Sequence, residues 1–258
     1  MPDLTVTLVG GPTAILEFAG LRWLTDPTFD PPGHYGREDA PSLDKTEGPA
    51  LSEDDVGRID VVLLSHDHHP DNLDHAGRAF LGRAGRVLTT PAGAERLGGN
   101  AQGLEPWSSV ELERPGGGSV TVTAVHAQHG PDGTDHITGP VIGFVLAGEG
   151  LPSLYVSGDN ASVDVVRRIA DRVGDVELAV LFTGGASLRG RFDGALLTLG
   201  AKEAAEAARV LGVRAVVPVH QQGWTHFSQG PEALRSAFEE AGLADLLRVP
   251  APGETVSV

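Results

Sequence analysis

Four apolar, strand-like runs in this chain end in histidine or aspartate, and that recurrence constrains the fold more than any other feature. Residues 59–64 run straight into Ser65-His66-Asp67-His68-His69-Pro70-Asp71-Asn72. Residues 119–125 lead to His126 and His129, 153–156 lead to Ser157-Gly158-Asp159-Asn160, and 215–219 end at His220, with His226 close behind. A strand end fixes the direction of a side chain while leaving its tip in a cleft. Such ends meeting at one edge supply neutral imidazoles, carboxylates and room for water, which is what a hydrolytic metal requires. Water held there loses a proton near neutral pH and becomes a nucleophile. A solitary histidine is more often a hydrogen-bonded surface residue, and His34, His75 and His136 are read that way. The dense 66–72 stretch does not fit that reading.

The rest of the chain is organised around these ends. Residues 4–9, 13–18 and 21–25 read as a meander joined by tight turns at Gly10-Gly11-Pro12 and Ala19-Gly20. Residues 27–56 hold prolines, glycines and charges without periodicity, which predicts a surface loop beside the site with His34 and Tyr35 on its wall. Helices are predicted over 73–84, 91–97, 163–172, 201–211 and 231–241, and further strands over 86–89, 109–113, 141–147 and 178–182. A meander followed by strand and helix alternation predicts a mixed α/β sandwich of sheets with outer helices, in one domain over 1–258.

Composition narrows the chemistry. The chain has no cysteine, so any metal is held by His, Asp or Glu, a donor set that suits zinc, manganese or iron. A net charge of −16 without any basic block argues against nucleic acid and anionic membrane as partners and favours a small-molecule substrate. No apolar run approaches the roughly 18 residues of a membrane span, and the first residues lack the cationic and apolar regions of a signal peptide. The expected compartment is the cytoplasm, and homo-oligomerisation stays open. No Gly-x-Ser-x-Gly elbow supports a serine hydrolase.

These motifs resemble the metallo-β-lactamase superfamily, in the branch that includes the ascorbate-6-phosphate lactonase-like hydrolases. Thr7-Leu8-Val9-Gly10-Gly11 and Leu24-Thr25-Asp26-Pro27 resemble that branch's opening meander, and residues 61–74 resemble its signature loop. Residues 124–130 are similar to the segment carrying the third histidine, 154–160 to the Gly-Asp segment whose aspartate bridges two metals, and 217–220 to the final histidine segment. The resemblance spans nearly the whole chain. It implies an αββα four-layer sandwich, and divalent zinc or manganese, or iron, held by residues among His66, His68, His69, Asp71, His129, Asp159 and His220.

The loop departs from the family's His-x-His-x-Asp-His, and two registers compete. In one, His66 and His68 form the first pair and one residue is inserted before Asp71. In the other, spacing is strict and Asp67, His69, Asp71 and Asn72 fill the places. The first is favoured because His66 follows the apolar strand directly. Both put Asn72 where the family has histidine, and an amide oxygen is the weaker ligand, so one ion or two remains open. Asp71 is expected as metal ligand or general base, and His226 as proton donor or oxyanion partner beside Trp224 and Phe227. The expected activity is hydrolysis of a small ester, lactone or phosphate ester by hydroxide formed on the metal. The alternatives are a phosphodiesterase or nuclease on the same fold, or a non-catalytic metal-binding protein, which Asn72 would suit.

Overall fold

A computed structural model describes residues 4–36, 42–188 and 190–258. Strands β1 (Leu4–Gly10), β2 (Thr13–Phe18) and β3 (Leu21–Thr25) form the meander, followed by a small hairpin of β4 (Gly33–Tyr35) and β5 (Leu43–Lys45) and one helical turn, α1 (Glu53–Val56). Strands and helices then alternate through β6 (Val61–Leu63), α2 (His75–Phe80), β7 (Arg86–Thr89), α3 (Pro91–Leu97) and β8 (Ala101–Gly103). The second half holds β9 (Ser109–Glu113), β10 (Ser119–His126), the turn α4 (Asp135–Thr138), β11 (Ile142–Ala147) and β12 (Leu154–Val156). It closes with α5 (Val163–Val173), β13 (Leu178–Phe182), α6 (Ala201–Leu211), β14 (Ala215–Val219), α7 (Pro231–Glu240) and β15 (Thr255–Ser257).

Two sheets result, ordered β15-β1-β2-β3-β6-β7-β8 and β14-β13-β12-β11-β10-β9. Strand side chains alternate faces, so β1 sends Leu4, Val6 and Leu8 inward to meet Val120, Val122 and Phe144 of the opposite sheet. The outer face of the second sheet is covered by α5, α6 and α7, where Val166, Ile169, Leu211 and Phe238 are buried. The outer face of the first is covered by Val56 of α1 and Phe80 of α2 with the loops around them. Helix, sheet, sheet, helix is the expected four-layer αββα sandwich. Among the described residues no helix is long and apolar enough to cross a membrane.

Strand direction creates the site. Strand β6 runs parallel to β3, and β12, β13 and β14 are mutually parallel. Strand β10 pairs antiparallel with β11, which pairs antiparallel with β12, so β10 points the same way as β12. The C-terminal ends of each sheet therefore share one edge. Backbone bonds close the two edges on each other, from His220 N to the Gly11 carbonyl (2.7 Å) and from Ile142 N to the Ser65 carbonyl (3.2 Å).

The 27–56 segment differs from expectation. It carries the β4–β5 hairpin and α1, and Thr28 and Phe29 are buried rather than on the surface; residues 37–41 lie outside the described residues. Two of the segment's backbone N–H groups and a buried lysine converge on one carboxylate. Asp74 accepts from Phe29 N (2.9 Å), Asp30 N (2.7 Å) and the buried Lys45 Nζ (2.9 Å). It also accepts from Gly77 N at 2.8 Å as the N-cap of α2, so the helix predicted over 73–84 starts at His75. That helix gives way at Leu81–Arg83 to a tighter turn. Strands β8 and β15 are three residues each, too short to show periodicity in the sequence.

Candidate metal centre

The first group of ligands comes from the ends of β6 and β10. His66 is fully buried. Its Nδ1 lies 2.9 Å from Ser65 Oγ, whose proton is committed to Asp26 Oδ2 at 2.5 Å. Nδ1 is therefore the donor, and Nε2 keeps a lone pair, 2.9 Å from His69 Nδ1. His129 Nδ1 lies 2.7 Å from the Leu197 carbonyl, which only accepts, so Nδ1 donates there and Nε2 is the nitrogen left to bind a metal. One ligand atom from each of His66, His69 and His129 falls within 4.8 Å of the others. Burial, then the neighbouring His68, His69 and His129, holds His66 well below its usual pKa, so it is neutral, the form that binds a metal.

The second group is Asp71, Asp159 and His220, with ligand atoms again within 4.8 Å of one another. His220 Nε2 lies 3.5 Å from Asp71 Oδ2 and 3.7 Å from Asp159 Oδ1, and Asp159 Oδ2 lies 3.7 Å from His129 Nδ1, linking the two groups. Burial pushes the Asp71 carboxyl up, but His226 and then His220 override it and hold Asp71 well below the carboxylate range. His226 Nε2 sits 3.0 Å from Asp71 Oδ2. Asp71 Oδ1, Asp159 Oδ2 and both His220 nitrogens are buried without a hydrogen-bond partner. Each such orphan costs about 1–3 kcal/mol, more when charged, so a cluster of them on carboxylates and imidazole fits a cation.

His220 is held in a strained backbone conformation, with φ at 59°. A Cβ on Gly184 would run into the His220 carbonyl oxygen and come within 3.2 Å of Phe227 Cγ. Gly184→Ala is expected to cost about 1–3 kcal/mol or more and to displace His220 from the second group. Thermal unfolding and metal content check both; a variant matching the parent in each would refute the steric argument.

The signature loop follows neither expected register. It takes His66 from the first and His69 from the second, and the two residues between turn away. Asp67 is clamped by Arg96, with Nε to Oδ2 at 2.9 Å, and Arg78 Nη2 donates to its carbonyl at 2.9 Å. His68 Nε2 lies 2.6 Å from the Thr138 carbonyl, and Gly139 packs so closely on its ring that no Cβ would fit. In this arrangement His68 stands outside the two groups, and Asp67 is paired with arginine. His126 is exposed, with its ring 6.0 Å from that of Trp107, and His34, His75 and His136 are exposed. His34 and Tyr35 do line a cavity of about 540 Å³, together with His68, His69, His75 and Arg78.

Asp26, which the sequence places in the opening meander without a site role, stands beside the centre. It is fully buried at the end of β3 and accepts from Ser65 N (2.7 Å) and Asn72 Nδ2 (2.9 Å). Burial pushes its carboxyl up to about 7 against those hydrogen bonds. The available signal was its position, since it follows an apolar strand just as His66 and Asp159 do.

Residues 22–221 match a family described as the beta-lactamase superfamily domain. A metal-dependent hydrolase of Rubrobacter xylanophilus is 32% identical over 77% of this chain and 79% of its own length. A metal-dependent hydrolase of Anaeromyxobacter dehalogenans is 28% identical over 97% of this chain and 82% of its own. The structure of an isothiocyanate hydrolase from Delia radicum gut bacteria superposes with a TM-score of 0.82 at 22% identity, covering 98% of each chain.

Proposed function

This chain belongs to the beta-lactamase superfamily, and we propose that it is a metal-dependent hydrolase acting on a small ester, lactone or phosphate ester. The observation that carries the reading is the pairing of a three-imidazole group with a second group whose buried carboxylate and imidazole atoms lack partners. The relatives named as metal-dependent hydrolases support it. A divalent zinc, manganese or iron ion there would acidify water and polarise the scissile oxygen. His66, His69 and His129 would hold one ion, and Asp71, Asp159 and His220 a second.

The chain's own residues supply the rest. Asp71 is ionised and oriented by His226, 3.0 Å away, so a proton taken up at this pair rests between Asp71 Oδ2 and His226 Nε2. From there His226 can pass it to a departing oxygen. Trp224 and Phe227, with rings 6.1 and 4.6 Å from that of His226, shield the pair from water. The net charge of −16 supports a small substrate over a polynucleotide.

The test is a panel of aryl esters, lactones, phosphomonoesters and phosphodiesters, with metal-loaded and chelated protein. Turnover of an ester, lactone or phosphomonoester that chelation abolishes is expected, with His226→Ala slowing it about 10²–10⁴-fold. Turnover of phosphodiesters alone would favour the phosphodiesterase alternative. Fully loaded protein inert on every class would refute the enzyme reading.

A further inference from the structure

The two ligand groups differ in chemistry, and Asn72 sharpens the difference. The first offers three imidazole nitrogens and no carboxylate. The second offers two carboxylates and one imidazole. Asn72 is fully buried beside it, and its amide orientation is fixed by its partners. Nδ2 donates to Asp26 Oδ2 at 2.9 Å and to Asp159 Oδ1 at 3.1 Å. The flipped amide would set an oxygen against two carboxylates. Oδ1 is consequently left buried without a hydrogen-bond partner, as are Asp71 Oδ1 and Asp159 Oδ2. An amide oxygen accepts but never donates, so a cation is the partner that such a set of oxygens lacks.

We propose that the centre is built for two different ions, zinc at His66, His69 and His129, and a harder ion such as manganese at Asp71, Asp159 and His220, with the Asn72 amide oxygen as a further donor. Imidazole suits zinc, whereas carboxylate and carbonyl oxygens suit manganese. For any one site zinc still binds more tightly than manganese, so selectivity arises from the contrast between positions. The imidazole group captures the first zinc, and the oxygen-rich group is left as the place where manganese competes best. Asn72 is then a change of donor rather than a loss, and Asp26 is the positioning residue that aims it. The inference rests on the metal centre proposed above and not on hydrolysis, so it can fail or hold whatever the substrate panel shows.

The experiment loads metal-free protein with one equivalent of zinc and titrates manganese, reading free Mn²⁺ by its electron paramagnetic resonance signal and zinc by elemental analysis. About one manganese per chain bound beside retained zinc is expected. Manganese that stays free in solution overturns the proposal, and this arm needs no variant to fold. In Asn72→His, manganese affinity at the second position should fall at least about tenfold while a second zinc binds more tightly. Unchanged affinity for both ions in a variant that circular dichroism shows folded overturns it as well. Asp26→Asn should weaken manganese while leaving the first zinc in place; loss of the first zinc instead would assign Asp26 to His66 alone and overturn its role in aiming Asn72.

Discussion

His69→Ala is expected to strip the metal from this protein, whereas His68→Ala leaves it bound. His69 Nδ1 faces His66 Nε2 at 2.9 Å, within the three-imidazole group proposed to hold an ion, so its loss would remove a direct bond to that ion. Affinity should fall by far more than the roughly 10–100-fold typical of a contact one step removed. The neighbouring His68 instead spends Nε2 on the Thr138 carbonyl. Its removal should cost about 1 kcal/mol of stability and loosen the turn around Asp135–Thr138 without emptying the centre. Elemental analysis after dialysis, with calorimetric titration of each variant, separates the two. Equal loss of metal from both would mean that the loop is arranged differently from Asp67 and His68 turned away from the centre.

That contrast shows what the sequence conveys and what it withholds. The strand ends are legible because a buried strand is a contiguous apolar run, as Leu178–Phe182 is, and because a polar residue directly after it has nowhere to go but the sheet edge. His66, Asp159 and His220 stand at such ends, and so does Asp26. The loop register is not legible in the same way. Which of His68 and His69 turns inward depends on Arg78 and Arg96, which reach the buried Asp67 from α2 and α3, and on the Thr138 carbonyl across the cleft. These partners are distant in sequence, and no local periodicity encodes them. The hairpin in the 27–56 segment is hidden for the same reason. Its strands are three residues each, and its ties to the rest of the fold, Lys45 Nζ to Asp74 and Thr46 N to the Gly223 carbonyl, reach residues distant in sequence.

That carboxylate is where the largest stability effect is expected. Asp74 and Lys45 are both buried, paired at 2.9 Å, and Asp74 also takes three backbone N–H groups. Asp74→Ala leaves the Lys45 ammonium buried and uncompensated, a loss of about 3–5 kcal/mol. It removes the N-cap of α2 as well, typically worth about 1 kcal/mol. Against the roughly 5–15 kcal/mol that holds an ordinary domain folded, this is a large fraction. Lys45→Met should be milder, because the Asp74 carboxylate keeps its three N–H donors. Lys45 also reaches the far side of the cleft, pairing its backbone with Trp224 two residues before His226, while Thr46 N bonds the Gly223 carbonyl at 2.8 Å. The pair thus ties α2, the hairpin and the His220–His226 segment into one frame around the metal loop. Urea unfolding of both single variants and the double variant measures the coupling. If Asp74→Ala costs no more than Lys45→Met, the three backbone donors and the stranded ammonium carry none of the effect, and the frame is held by something other than this pair.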